Sequence, residues 1–142
     1  MPLRRFLLAL ALIAAPLLLT APLSARADGG HWQTKAEDVG KAVTAAETTF
    51  LKGDVDGAKR AVTEAYFGHF EETKLEGAMR KHIGAKRAAE VEKMFATLRK
   101  AMGANDTAQV KAVAQGLRDA MKADAKILDD AKVSPDVYEV NQ

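Results

Sequence analysis

The chain has 142 residues, 21 of them basic and 19 acidic, for a net charge of +2, and it contains no cysteine. This length supports one domain with a single core. The missing cysteines exclude disulfides, thiolate metal sites and a CxxCH haem attachment, and the near-balanced charge gives no support to nucleic-acid binding, which needs a concentrated basic face.

The first element in chain order reads as a secretory signal. Arg4 and Arg5 supply the positive region, Phe6 to Leu19 the apolar core, and Ala25-Arg26-Ala27 a small-x-small cleavage site. Residues 1–27 are therefore expected to be removed, with a mature start at Asp28 and a periplasmic location. An uncleaved membrane anchor is the rival reading, because Phe6 to Leu23 is almost long enough to span a bilayer. Loss of Arg4, Arg5 and Arg26 leaves 18 basic residues against 19 acidic ones, so the positive charge is a property of the signal. No later segment approaches the ~18 apolar residues of a span, so the mature protein is not expected to be membrane-embedded.

Residues 28–142 read as one all-α domain, with a core at about 34–130. Past Gly30 there is a single proline, Pro135, and no alternating β-branched run, while Ala, Lys, Glu, Leu and Met dominate. Thr34 and Glu37 form a capping box for a first helix with the stripe Val39, Val43, Ala46 and Phe50, and His31 precedes it in a mobile Gly-Gly-His-Trp segment. Gly53 ends that helix and Asp54 caps the next, which carries Val55, Ala58, Val62 and Ala65. Continued at helical spacing, this seam meets His69, Glu72 and Glu76, so an irregularity is expected between Gly68 and Thr73. A helix restarting near Gly84 shows Ala88, Val91, Phe95, Leu98 and Met102 and ends at Gly103. Asp106 opens a last long helix with Val110, Val113, Leu117, Met121 and Leu128. Four or five helices joined by short turns imply an antiparallel four- to five-helix bundle.

Candidate chemistry gathers in one block. Glu71, Glu72 and Glu76 are hard oxygen donors suited to iron(III), manganese or calcium, and Glu72 and Glu76 share a helix face. Glu71 and Glu76 diverge on a regular helix and meet only if the chain bends between them. The plainer reading pairs Glu76 with Arg80, four residues on. His69 lies beside these acids and extends the choice to copper. In the Glu90-x-Glu92 pair, Glu92 is placed to reach inward and Glu90 to face water. Arg80, Arg87 and Arg99 read first as ion-pair partners, and Tyr66, Phe67 and Phe70 as packing. Neither His69 nor His82 completes the Glu-x-x-His signature of di-iron bundles, and no nucleophile–base arrangement or phosphate loop is present, so no enzyme is expected.

The steps Ala65-Tyr66-Phe67, Phe70-Glu71, Leu75-Glu76, Arg80, Lys86-Arg87, Glu90-Val91-Glu92, Phe95 and Arg99 resemble the soluble periplasmic helical domain of bacterial high-affinity iron permeases. The resemblance spans residues 39 to 102, and the membrane helices of those permeases have no counterpart in this sequence. It implies a free-standing periplasmic iron-handling protein that binds iron, with copper as the alternative ion, and assists an inner-membrane iron permease or another periplasmic metal-binding protein. The metal ligands it implies are Glu71 and Glu76; His69, Glu72, which is not part of the family pattern, or Glu92 is expected to complete the shell. The competing expectation is an interaction module whose polar block is structural and which docks on such a partner without touching the ion.

Overall fold

The computed structural model describes residues 30–136, and the expected signal at 1–27 lies outside them. Five α-helices follow in order: α1 His31–Leu51, α2 Val55–Glu64, α3 Leu75–His82, α4 Ala85–Gly103 and α5 Thr107–Asp130, with a π-helical segment, Ala65–Glu71, continuing α2. Among the described residues there is no strand, and no helix is long and apolar enough to cross a membrane. The expected all-α bundle is what the chain forms.

α1 packs on α2 and α5, and α4 packs on the same two, so α1, α2, α4 and α5 make a four-membered ring in chain order. The short α3 lies across it, touching the π segment, α4 and α5. The seams are those of three-four spacing: Trp32, Ala36, Val39, Val43, Ala46 and Phe50 on α1, and Ala88, Val91, Phe95, Leu98 and Met102 on α4, are all buried. The turns follow their local chemistry. Gly53 takes φ 92 and Asp54 accepts the Gly57 N–H at 2.8 Å, while Asp106 accepts the Gln109 N–H at 3.0 Å. Gly84, at φ 139, separates α3 from α4.

The irregularity expected at Gly68–Thr73 is present and begins earlier, at Ala65. Its wider turn is closed by the Glu72 N–H donating to the Phe67 carbonyl five residues back, at 3.0 Å. The consequence is a change of register. A regular helix carries the buried seam from Ala65 to His69; the π turn carries it to Phe70, which is fully buried. Lys74 then adopts a left-handed conformation, φ 67, and α3 starts at Leu75, the next fully buried residue. The π turn brings Phe70 into the seam, and the break at Lys74 resets the register so that Leu75, Ala78 and Met79 follow it, which leaves His69, Glu72 and Glu76 outside.

The beginning of α1 departs from the sequence reading. Thr34 is no cap: its hydroxyl donates back to the Gly30 carbonyl at 3.2 Å inside the first turn. The helix starts at His31, which is part of it and lies edge-on to the Trp32 ring at 4.9 Å between centroids, rather than in a mobile lead. The cap comes from the far end of the domain. Asp129 on α5 accepts the N–H groups of Trp32 at 3.0 Å and Gln33 at 2.9 Å, and the Trp32 indole donates to the Val133 carbonyl at 2.8 Å. A side chain at position 30 would collide with the Asp129 carboxyl group. Asp129→Ala should therefore lower stability by about 1–2 kcal/mol, the size of a lost N-cap, whereas Thr34→Ala should be close to neutral; denaturant melts compare the two.

Candidate functional site

The π segment, α3 and α4 converge on one polar cluster. α3 carries Glu76 and Arg80, a turn apart on one face, and α4 brings Glu92 against them. One terminal nitrogen of Arg80, Nη2, donates to Glu76 Oε1 at 2.6 Å and to Glu92 Oε1 at 2.5 Å. The Tyr66 hydroxyl, from the π segment, donates to the other Glu76 oxygen at 3.4 Å. The Glu76 side chain is 14% exposed and Glu92 33%, while Arg80 is 46% exposed and closes the cluster from the solvent side.

Burial and neighbouring charge set the protonation behaviour. Burial, then the adjoining Glu76 carboxyl, raises the Glu92 carboxyl above its usual range, and Arg80 offsets part of that rise. Tyr66 is pushed up to about 12 by burial first and then by the negative charges of Glu76, Glu92 and Glu71. The phenol therefore stays protonated at neutral pH and acts as a donor to Glu76.

Glu71 is exposed, and with Tyr66, Lys74, Glu76, Gly77 and Arg80 it lines an open cleft of about 410 Å³. The π segment and the Lys74 turn bend the chain between Glu71 and Glu76, and both line this one cleft. Glu92 reaches the cluster from the other side through Arg80. His69 and Glu72 line neither this cleft nor the groove next to it. His69 is half-buried, with its carbonyl accepting from the Thr73 hydroxyl at 2.6 Å, and Glu72 points to solvent. Three of the five carboxylate and imidazole candidates, Glu71, Glu76 and Glu92, thus belong to one locality, and two lie outside it. Among the described residues no three His, Asp or Glu side chains stand as a preformed metal-holding group. The arrangement instead presents two carboxylates from different helices aimed at one cationic group.

Two polar residues carried no functional reading in the sequence. Asp124 on α5 is buried, and its two oxygens accept from Arg87 Nε at 3.2 and 2.9 Å; Arg87 also reaches Glu90 at 3.3 Å. A signal for it exists: Asp124 falls between Met121 and Leu128 at three-four spacing, a seam position where an aspartate demands a partner. Asp129, the remote cap, carries no such signal. Arg80 and Arg87 are the ion-pair residues expected of them, whereas Arg99 makes no ion pair or hydrogen bond among the described residues.

Compared with known proteins, the chain matches no family model, no curated protein and no solved structure.

Proposed function

We propose that this is a periplasmic iron-handling protein that holds a metal ion reversibly through carboxylates and assists a membrane iron permease in uptake. The observation that supports it is the convergence of Glu76 and Glu92 on a single positive group, with Glu71 on the lip of the same cleft. Oxygen-only ligation of this kind suits iron, and the Arg80 guanidinium, which already occupies the position between the carboxylates, would hold the affinity modest by competing with the ion. Modest affinity suits a carrier that must release its cargo. His69 and Glu72 are outside the proposed ligand set in this arrangement, and copper, which favours imidazole, is accordingly the second choice of ion.

A second reading is favoured by the same ion pairs. Glu76 and Glu92 are already satisfied by Arg80, as in a structural network, and the domain is then an interaction module that docks on a permease or a periplasmic metal protein without binding metal. Metal titration by calorimetry, with thermal melts on the same preparation, separates the two. In the first reading Glu76→Gln with Glu92→Gln abolishes iron binding and leaves the melt little changed, and His69→Gln and Glu72→Gln leave the affinity unaltered. Binding no tighter for iron than for magnesium, or a double variant that loses only stability, decides for the interaction module.

A further inference from the structure

A second cavity lies beside the cluster, between the π segment and α4. It is a groove of about 250 Å³ lined by Val62 at the end of α2, by Tyr66 and Phe67, and by Glu92, Phe95, Ala96 and Arg99 on α4. The α4 contributions, Glu92, Phe95, Ala96 and Arg99, recur at three-four spacing and form one helix face. Glu92 and Arg99 are therefore two turns apart, about 10 Å along the axis at ~1.5 Å per residue. At one end Glu92 is held by Arg80. At the other, Arg99 is exposed and has no acidic partner among the described residues.

The floor between the two ends is apolar and open because Ala96, the residue that faces it, is small. Phe67 is 55% exposed, an unusual position for a phenylalanine, with its ring edge-on to Tyr66 at 4.8 Å between centroids. Tyr66 and Phe95 meet edge to face at 5.4 Å between centroids behind it. The groove thus combines an aromatic wall, a volume of about 250 Å³ and a guanidinium with no acidic partner among the described residues.

We propose that this groove binds a small carboxylate with an aromatic or aliphatic body. Arg99 takes the carboxylate through paired N–H donors, and the body lies over Ala96 against Phe67 and Phe95. The anion is placed at the Arg99 end because Glu92 would repel it at the other. The site adjoins the Arg80 cleft, sharing the Tyr66 wall with it, and its anion end at Arg99 needs no metal.

Phenylbutyrate, with phenylbutyramide as its uncharged isostere, tests this by NMR titration of the purified protein. Phenylbutyrate should bind below about 1 mM, shifting resonances of Val62, Phe67 and Ala96, and the amide should bind at least about tenfold more weakly for want of the charged pair with Arg99. Arg99→Gln should bring the acid down to the level of the amide. Ala96→Leu, which fills the floor at an exposed position, should abolish binding of both while the thermal melt is retained. Equal binding of acid and amide, retention of binding in Ala96→Leu, or no shifts below about 10 mM (a range of non-specific contact on the affinity scale) would overturn the proposal. So would concentration-dependent shifts at Phe67 without ligand, which would assign the groove to a second copy of the chain.

Discussion

Phe95→Ala should destabilise the domain by about 3–5 kcal/mol, the range for removing a buried phenylalanine and leaving its cavity. Phe95 is 3% exposed and lies where α4 meets the π segment, with the Tyr66 ring at 5.4 Å and the Phe70 ring at 5.5 Å between centroids. Truncation removes both aromatic contacts and loosens the seat of Phe70, the residue that the π turn brings into the core. For a domain of this size the melting temperature should fall by more than about 12 °C, at roughly 4–8 °C per kcal/mol. Phe95→Leu should recover most of the loss because it refills the volume. Circular dichroism melts of the two variants measure this, and a loss under about 1 kcal/mol for alanine would mean that the junction collapses to fill the space.

Arg87→Ala should have the second large effect, and it should depend on pH. The substitution strands Asp124 in the core without its counter-charge. A broken buried pair typically costs ~3–5 kcal/mol, and about 2–3 is expected here because Arg87 is 33% exposed and water screens part of the interaction. Burial already raises the folded-state pKa of Asp124, with Arg87 pulling the other way. Without Arg87 the folded-state value climbs further above the unfolded value of about 3.9. A raised carboxyl contributes stability that is fully present below the unfolded pKa and is lost as pH rises through the folded one. The gap between the variant and the parent should therefore be smallest near pH 4 and widen toward pH 7. Denaturant titrations at the two pH values check the sign, and a gap independent of pH would place the cost in lost packing of the arginine stem instead.

How much was legible in the sequence is best judged residue by residue. Asp54, Asp106, Gly53 and Gly84 announce their turns because capping and positive φ are local requirements, met within a few residues of the chain. The apolar seams of α1, α4 and α5 are legible because burial repeats at the helix period. The pairing of Glu76 with Arg80 is legible for the same reason, since both sit on one short helix. The second partner of Arg80, Glu92, and the partner of Arg87, Asp124, come from other elements; spacing turns Glu92 rather than Glu90 inward, but no spacing rule pairs it with Arg80 or finds Asp124 across 37 residues. The candidate ligands divide along the same line. Spacing alone pairs Glu72 with Glu76 and sets Glu71 apart from it, whereas the folded chain puts Glu71 and Glu76 on one cleft and leaves Glu72 outside.

By itself, then, the sequence determined an all-α bundle, its helix boundaries to within a few residues, and the place where the second helix fails to continue regularly. These follow from periodicity and from residue types whose preferences act within one turn. The tertiary structure decided the form of that irregularity. Burying Phe70 after Ala65 requires one residue more than an α-helix provides, and the π turn supplies it at the cost of a regular register; the left-handed turn at Lys74 then brings in Leu75. The same packing decided which acids meet at Arg80, and it gave α1 an N-cap from Asp129, 97 residues away from Trp32. Contacts of this kind depend on how the helices are laid side by side, and that is fixed by the fit of whole apolar faces rather than by any local run of residues.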